Sequence, residues 1–279
     1  MLRFGDLLIT SYSNHRNFNI EEIYPASVFW KICPIKNLRK WAAYIDKYLL
    51  FPKRLKRNLI SRKDPLHLIH IIDHSNAIYL PKISRIIQAK KIITCHDLIA
   101  IRTANGDFAQ APKTSKSGAY LQNWISKSLR LADYYACDSR QTLEDLNWLI
   151  PLSKEKSSIF YLGTEADLST TNSYKKILLK ILPFDPYTAD FLLHVGSAAW
   201  YKNRKAVFRS FIHAHTSLPD RHLNLVLVGP EPQKDELDKQ LSNWIKLHPN
   251  TIFSLQNLPD NVIAELYKHA KALVFPSFI

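Results

Sequence analysis

The chain has 279 residues, of which 46% are hydrophobic and 22% charged, with six glycines and fifteen prolines. This length and composition exclude a disordered or low-complexity protein and are typical of two globular domains. The 38 lysines and arginines outnumber the 24 acids, which gives a net charge of +14 and indicates an anionic partner.

Much of the positive charge lies between residues 31 and 63, which we call the basic segment. It contains eleven lysines and arginines and a single acid, Asp46. Its sequence KYLLFPKRLKRNLISRK interleaves cations with apolar residues, a pattern typical of an amphipathic helix on an anionic membrane surface. The same pattern is equally typical of a solvated helix whose long basic side chains cover the core. No recognisable nucleic-acid-binding motif accompanies the charge, so nucleic acid is the least favoured partner.

The chain shows no secretory signal and no run near the roughly 18 apolar residues of a membrane-spanning helix. We therefore expect a cytoplasmic protein, peripheral on the inner face of a membrane if the basic segment binds lipid. Cys33, Cys95 and Cys137 lie far apart and in no CxxC spacing, which favours reduced thiols.

From residue 67 onward, short β-branched runs alternate with longer amphipathic ones, the pattern of a parallel sheet with crossover helices. The predicted strands are HLIHIID, KIITC, YYACD and SSIFYL. The helix GAYLQNWISKSLRLA places Leu121, Trp124, Ile125 and Leu129 on one face. The helix that follows YYACD is predicted to begin after Ser139 as its N-cap.

Polar and proline-containing sequence over residues 166–190 predicts a linker between residues 1–165 and residues 191–279. The second part repeats the alternation with the strands FLLHV, LNLVLVG, TIFSL and ALVFP. Its predicted helices are 202–215, 235–247 and NVIAELYKHA. The fold class is therefore α/β with two Rossmann-like domains, and the uninterrupted apolar run ALVFP predicts a central strand.

The stretch FLLHVGSAAWYKNRKAVFRSF carries the clearest chemical signal. A buried strand runs into Gly196 and Ser197, then into a helix start that carries Lys202, Arg204 and Lys205. Backbone N–H groups and cations in this arrangement can hold a diphosphate without a metal. The alternative is that these basic residues simply decorate an exposed helix start.

The three histidines of HLIHIIDH would lie close to one face if this stretch were a helix, which suggests a metal site. The isoleucine-rich composition favours a strand, and on a strand His67 and His70 point to opposite faces. We therefore predict no metal at His67, His70 and His74.

Several ordered motifs between about residues 64 and 277 resemble the retaining GT-B glycosyltransferases of family 4. LLHVGSAAWYKNRKAVF, LVLVGP and ELYKHAKALVFPS resemble the donor domain of that family, and KIITCHDLIAIR, SLRLADYYACDSRQTLEDL and FYLGTE resemble its N-terminal domain. The resemblance implies two Rossmann-like domains facing a cleft. It also implies transfer of a sugar from a nucleotide-sugar donor to a hydroxyl acceptor in polysaccharide or glycolipid synthesis, with no cofactor and no metal.

The resemblance assigns the donor-binding residues in the second domain. Lys202 matches the basic residue that holds the donor diphosphate, and Gly196 matches the glycine that lets the loop approach it. Many relatives have an arginine where this chain has Ser197. Arg204 is the candidate that supplies the missing charge.

In the first domain, His96 and Asp97 match the histidine-aspartate pair at which the histidine positions the donor sugar. With Lys202 they form the predicted catalytic set. Asp73 and His74 are predicted to border the acceptor side of the site. Gly163 matches the glycine at the start of the interdomain hinge; the alternative for His96 is a structural bond to a neighbouring loop.

The chain also departs from the family pattern at both ends. In the family, ALVFPS is followed by an acidic, glycine-rich loop, and a strand precedes the helix that MLRFGDLLITSYS resembles. The sequence therefore predicts a chain truncated at both ends, with an incomplete second domain. The alternative function is a catalytically inactive remnant that acts at most as a binding module.

Overall fold

The computed structural model describes residues 2–15, 18–163, 172–232 and 236–279. The chain divides into two compact units, Met1–Gly163 and Thr164–Ile279. Each unit contains a parallel sheet of four described strands with flanking helices, which confirms the predicted α/β fold of two Rossmann-like units.

The first sheet has the strand order β1-β2-β3-β4 and is parallel throughout. Its strands are β1 (Leu68–Ile71), β2 (Lys90–Cys95), β3 (Tyr134–Cys137) and β4 (Ser157–Ile159). All four strands predicted in this part of the chain are confirmed. The register pairs Cys95 with Cys137, so the carboxyl ends of β2 and β3 lie level with each other.

The helices of the first unit surround this sheet. They are α1 (Leu2–Ser13), α2 (Phe29–Ile32), α3 (Arg39–Ile45), α4 (Phe51–Ile60), α5 (Leu80–Ile83), α6 (Ile99–Asn105), α7 (Lys116–Leu129) and α8 (Arg140–Leu149). A π-helical turn, Asp46–Leu50, joins α3 to α4, and 3₁₀ turns cover Lys36–Leu38, His74–Tyr79 and Pro151–Lys156.

Two predictions about these helices have different outcomes. The hydroxyl of Ser139 accepts a hydrogen bond from the backbone N–H of Thr142 at 3.1 Å, which confirms the N-cap of α8. On α7, Ile125 and Leu129 are buried as predicted, but Trp124 is 40% exposed. The helix therefore buries a narrower stripe, because the indole of Trp124 lies beside the Tyr48 ring rather than in the core.

The core of the first unit is apolar and includes both cysteines of the sheet. Ile93, Leu98 and Leu129 are fully buried in it. Cys95 and Cys137 are buried free thiols and Cys33 is a half-buried one, which agrees with the predicted reduced cysteines. A hydrogen bond with Cys137, together with burial, raises the pKa of Cys95, so this thiol stays protonated.

The second sheet has the order β7-β6-β5-β8 and is also parallel. Its strands are β5 (Phe191–Val195), β6 (Asn224–Val228), β7 (Ile252–Leu255) and β8 (Ala272–Leu273). The helices of this unit are α9 (Asn172–Ile181), α10 (Arg204–Ser217), α11 (Lys239–Leu247) and α12 (Asp260–His269).

The prediction that ALVFP is a central strand is wrong. β8 pairs with β5 on one side, and no other described strand pairs with it. Both of its residues are exposed. An apolar run shows that a segment prefers to be buried but does not give the number of its neighbours, and here Val274 and Phe275 continue past the two paired residues toward the loops at the strand end.

The structure places a helix within the stretch predicted as linker. Of the predicted 166–190, residues 166–171 lie outside the described part of the chain, and α9 begins at Asn172. Leu178 and Leu182 of this stretch are buried in one cluster with Phe191. These residues therefore belong to the core of the second unit.

The helices α10 and α11 begin later than predicted, for local reasons. Asn203 adopts a left-handed conformation with φ 50°, which a right-handed helix cannot include, so α10 begins after it. Asp238 accepts a hydrogen bond from the N–H of Leu241 at 3.0 Å and so caps α11. No helix in the described part of the chain is both long and apolar enough to cross a membrane.

Gly229 is the position where the second sheet allows no side chain. Its φ is +152°, and a Cβ there would lie 2.1 Å from the carbonyl oxygen of Gly196. The two glycines therefore let the backbones that leave β5 and β6 approach each other. This close approach sets the position of the loop that follows β5.

We expect Gly229→Ala to lower the free energy of unfolding by about 3 kcal/mol or more, because the backbone must shift to remove the overlap. Gly106→Ala is the matched control, since Gly106 also has a positive φ, +85°, but nothing within 4 Å of the added carbon. The control should cost about 1 kcal/mol. Urea unfolding of the full chain measures both, and equal losses would contradict the packing argument.

Candidate functional site

The order of the second sheet defines where a ligand is expected. β5 has β6 on one side and β8 on the other, so strand addition reverses direction between β5 and β8. In open α/β sheets, ligands bind at such a switch point, beyond the carboxyl ends of the strands. The candidate site therefore consists of the loop 196–203, which follows β5, and the segment 274–278, which follows β8.

Several hydrogen bonds join these two strand ends. The side-chain amide of Asn203 donates to the carbonyl of Pro276 at 3.0 Å, and the N–H of Phe278 donates to the carbonyl of Tyr201 at 2.9 Å. Nδ1 of His194, on β5, lies 2.8 Å from the carbonyl of Val274 and donates to it. The loop and the segment are thus fixed relative to each other by backbone acceptors and do not depend on side-chain packing alone.

Lys202, which the resemblance assigns to the donor diphosphate, lies on the loop 196–203, and that role stays a prediction. Its Nζ is 4.5 Å from the centre of the Phe275 ring and 5.3 Å from that of Tyr201. Aromatic faces attract an ammonium group and hold its stem in place. Lys202 is half-buried, so its charge is both oriented and accessible to an anion.

Arg204 lies at the first residue of α10 and is only 3% exposed. Its Nε is 3.5 Å from Oε1 of Glu236, an ion pair. Its guanidinium nitrogens have no hydrogen-bond partner among the described residues. A cation buried to this degree acts on a ligand through its charge, so the prediction that Arg204 contacts the donor directly stays a prediction.

The remaining donor-side residues, Gly196 and Ser197, open the loop. The N–H of Gly196 donates to the carbonyl of Val228 at 3.0 Å, and a Cβ on it would lie 3.2 Å from Nε2 of His194. Ser197 is exposed, and its hydroxyl accepts a long hydrogen bond, 3.4 Å, from the N–H of Ala199. The structure therefore brings Gly196, Ser197 and Lys202 together on one loop.

Three residues of this site were not found from the sequence. His194 is 1% exposed and Ser277 has a buried hydroxyl with no hydrogen-bond partner among the described residues, while Asn203 connects the two strand ends. The Lys-Asn pair before a helix was a usable signal, since asparagine tolerates a positive φ. His194 and Ser277 carried none, because nothing in a strand sequence shows which side chain faces its neighbour's end.

His194 is a buried histidine next to two cations. Burial lowers its pKa, the hydrogen bond to the Val274 carbonyl raises it, and the charges of Arg204 and Lys202 lower it. The neutral ring is therefore favoured, with its proton on Nδ1 toward Val274. A neutral His194 adds no further positive charge beside Lys202.

In the first unit, the predicted residues follow the carboxyl ends of β1 and β2, and Asp138, which was not predicted, follows β3. Nδ1 of His96 is 3.1 Å from Oδ2 of Asp138, and its Nε2 is 3.0 Å from the carbonyl of Ile72. The Phe4 ring packs nearly perpendicular to the His96 ring, with ring centres 5.0 Å apart. Both nitrogens of His96 thus face oxygens of the first unit, and its role with a donor sugar stays a prediction.

The carboxylates beside His96 hold the start of the next turn. Asp97 accepts a hydrogen bond from the N–H of Ile99 at 3.1 Å, and Asp73 accepts one from the N–H of Ser75 at 2.8 Å. Burial lowers the pKa of His74, and the charges of Asp73 and Asp97 oppose that shift. The four predicted residues form one cluster, and their assignment as catalytic or acceptor residues stays a prediction.

The strand assignment also accounts for the histidines of HLIHIIDH. His70 lies on β1, with Nε2 2.9 Å from the hydroxyl of Thr94 and Nδ1 3.2 Å from that of Tyr12. No three metal-binding side chains lie together among the described residues.

Gly163 ends the first unit and has nothing within 4 Å of an added Cβ. Its role as a hinge stays a prediction.

The chain is similar to known proteins in part of its sequence and in its fold. The chain is 27% identical over 163 residues to the serotype-specific mannosyltransferase WbdA of Escherichia coli. The aligned residues cover 55% of this chain and 20% of that protein. No family model matches the chain.

Two solved structures show the same fold. One, titled trehalose-6-phosphate from E. coli bound with UDP-2-fluoro glucose, has a TM-score of 0.53 at 9% identity over 96% of this chain and 63% of that chain. The catalytic domain of starch synthase IV from Arabidopsis thaliana, bound to ADP and acarbose, has a TM-score of 0.53 at 12% identity over 84% and 56%. The chain thus has the GT-B Rossmann-like fold, and it spans about a fifth of the length of the curated relatives it matches.

We expect acidification to destabilise the chain partly through His194. Its folded pKa lies below the unfolded value of about 6.5, so below that pH the unfolded state binds a proton that the folded state does not. The stability is present above about pH 6.5 and is lost as the pH falls toward the folded pKa.

His194→Asn, which keeps a neutral donor in place of Nδ1, should lose less stability between pH 7 and pH 5 than the parent chain does. His222→Asn is the control, because His222 is exposed. Urea unfolding at a series of pH values measures both. A His194→Asn variant with the parent's pH dependence would contradict this account of His194.

Proposed function

We propose that this chain is a glycosyltransferase that binds a nucleotide-sugar donor at the switch point of its second sheet. The observation that carries the proposal is the position of Lys202, oriented by Phe275 and Tyr201 on a loop bonded to the segment that follows β8. A cation held at this point can neutralise a diphosphate as it leaves. The likeness to a mannosyltransferase and the shared fold support this reading.

The proposed reaction transfers the sugar to a hydroxyl acceptor with retention, as the resemblance to family 4 implies. The departing diphosphate would lie against Lys202 and the N–H groups of the loop 196–203, and the buried charge of Arg204 would add to the positive potential there. We propose that no metal or cofactor is needed. His96 and Asp97 are proposed to position the sugar, and Asp73 and His74 to border the acceptor.

The binding step is tested with Lys202→Met, which keeps an apolar stem and removes the charge. We expect it to weaken binding of UDP, GDP or ADP about tenfold to a hundredfold, because a charge-assisted contact to a phosphate is lost. Lys205→Met is the matched control, since its ammonium group pairs with Asp238 at 3.0 Å. Isothermal titration calorimetry of the full chain and of both variants measures the affinity for each of the three nucleotides.

In that titration the control should bind within about twofold of the parent chain. Equal weakening by both variants would mean that general charge, and not the Lys202 site, attracts the nucleotide. A parent chain that binds none of the three nucleotides at millimolar concentration would overturn the proposal.

The transfer step is tested by incubating the parent chain with GDP-mannose or UDP-glucose and methyl mannoside. We expect a disaccharide, detected by mass spectrometry, that is absent with Lys202→Met. NMR of the product should show the anomeric configuration of the donor, and the inverted anomer would contradict retention. Nucleotide binding without any transfer would favour the alternative function, a binding module without catalysis.

A further inference from the structure

The basic segment and the residues just before it form an unusual surface on the first unit. Large apolar side chains there are exposed, among them Val28 at 48%, Trp30 at 44% and Trp41 at 63%. Other exposed apolar side chains of this surface are Phe29, Ile32, Ile35, Leu38, Leu49 and Ile60. A cluster of this kind on a folded unit marks a surface that binds something apolar.

The cations of α4 lie on the side of the helix away from the core. Phe51, Leu55 and Leu59 are buried, which places Lys53, Arg54, Lys56 and Arg57 toward solvent. The spacing confirms the amphipathic helix predicted for this stretch. Within the part of the chain that the structure describes, none of these four cations pairs with a carboxylate.

The single acid of the basic segment does not neutralise this surface. Asp46 is 4% exposed, and its carboxylate accepts hydrogen bonds from the N–H groups of Phe29 and Trp30 at 2.9 and 3.0 Å. It therefore points inward and holds the start of α2 against the π-helical turn. Phe29 and Trp30 are presented by a fixed backbone while the surface around them keeps its positive charge.

Charged and apolar groups meet in one pocket of this surface. A pocket of about 430 Å³ is lined by the cations Lys53, Arg54 and Arg57 and by the apolar residues Val28, Leu50 and Phe51. Three cations suit a phosphate group, and an adjoining apolar wall suits the first carbons of an acyl chain.

We propose that this surface binds an anionic phospholipid bilayer, with one lipid phosphate in the pocket of Lys53, Arg54 and Arg57. Phe29 and Trp30, beside Val28 at the pocket, enter the interface between headgroups and acyl chains. Exposed aromatic groups beside unpaired cations fit a bilayer better than a nucleic acid, because nothing in a nucleic acid backbone would cover the aliphatic side chains of Val28 and Ile32.

The test is sedimentation of the full chain with vesicles of phosphatidylcholine alone or with 30% phosphatidylglycerol. Each lysine or arginine near an anionic surface contributes about a fivefold change in affinity. The variant Lys53→Gln/Arg54→Gln/Arg57→Gln should therefore bind the anionic vesicles about a hundredfold more weakly. Trp30→Ala should also bind more weakly, and its deficit should persist at 0.5 M salt, where the charge contribution is screened.

The control variant Lys176→Gln/Lys180→Gln/Lys246→Gln removes the same charge from exposed positions of the second unit. It should bind the vesicles like the parent chain. Equal weakening by both triple variants, or equal binding of the parent chain to neutral and anionic vesicles, would overturn the proposal.

Nucleic acid is the competing partner and is tested with a single-stranded RNA oligonucleotide. If the Lys53/Arg54/Arg57 variant lost RNA binding but kept vesicle binding, the surface would be a nucleic-acid site and the proposal would be wrong. Far-ultraviolet circular dichroism and the unfolding midpoint of each variant show that it folds. The charge-conserving variant Lys53→Arg/Arg54→Lys/Arg57→Lys should retain vesicle binding.

Discussion

The candidate donor site depends on the connection between the ends of β5 and β8. Each of these strands continues into its own loop, and neither loop alone would hold Lys202 in place. Here the side chain of Asn203 and the N–H of Phe278 bond to carbonyls across the gap, and His194 adds a third bond from within β5. Because the acceptors are backbone atoms, substitution of Pro276, Tyr201 or Val274 would leave an acceptor for each of these bonds in place.

A second constraint acts at the end of the neighbouring strand, β6. The carbonyl oxygen of Gly196 lies only 2.1 Å from where a Cβ of Gly229 would be, so this close approach fixes the position of the loop after β5. From there the chain makes one 3₁₀ turn, Trp200–Lys202, and enters the left-handed Asn203. Lys202 is thus placed by backbone conformation on both sides of it, and the aromatic rings of Phe275 and Tyr201 then orient its side chain.

The sequence was sufficient for features that depend on local pattern. Short β-branched runs predicted β1 to β7, and the interleaving of cations with apolar residues predicted the amphipathic character of α4. The sequence was insufficient for features that depend on contacts between segments far apart in the chain. Nothing local shows that, among the described strands, ALVFP pairs with β5 alone, or that α9 packs on Phe191. Arg204 was a candidate to supply charge to the donor, and nothing local shows that it is buried and paired with Glu236, thirty-two positions away.

The net charge of +14 is informative only when its placement is known. Arg204 is buried and paired with Glu236, because an unpaired cation would be too costly there, so its charge is already partly compensated. The cations of α4 are exposed and unpaired among the described residues, and the one nearby carboxylate, Asp46, is committed to the N–H groups of Phe29 and Trp30. The two clusters therefore differ in kind: a compensated buried charge shapes the potential around a small ligand, whereas uncompensated exposed charges beside apolar side chains favour a large anionic surface that can cover both.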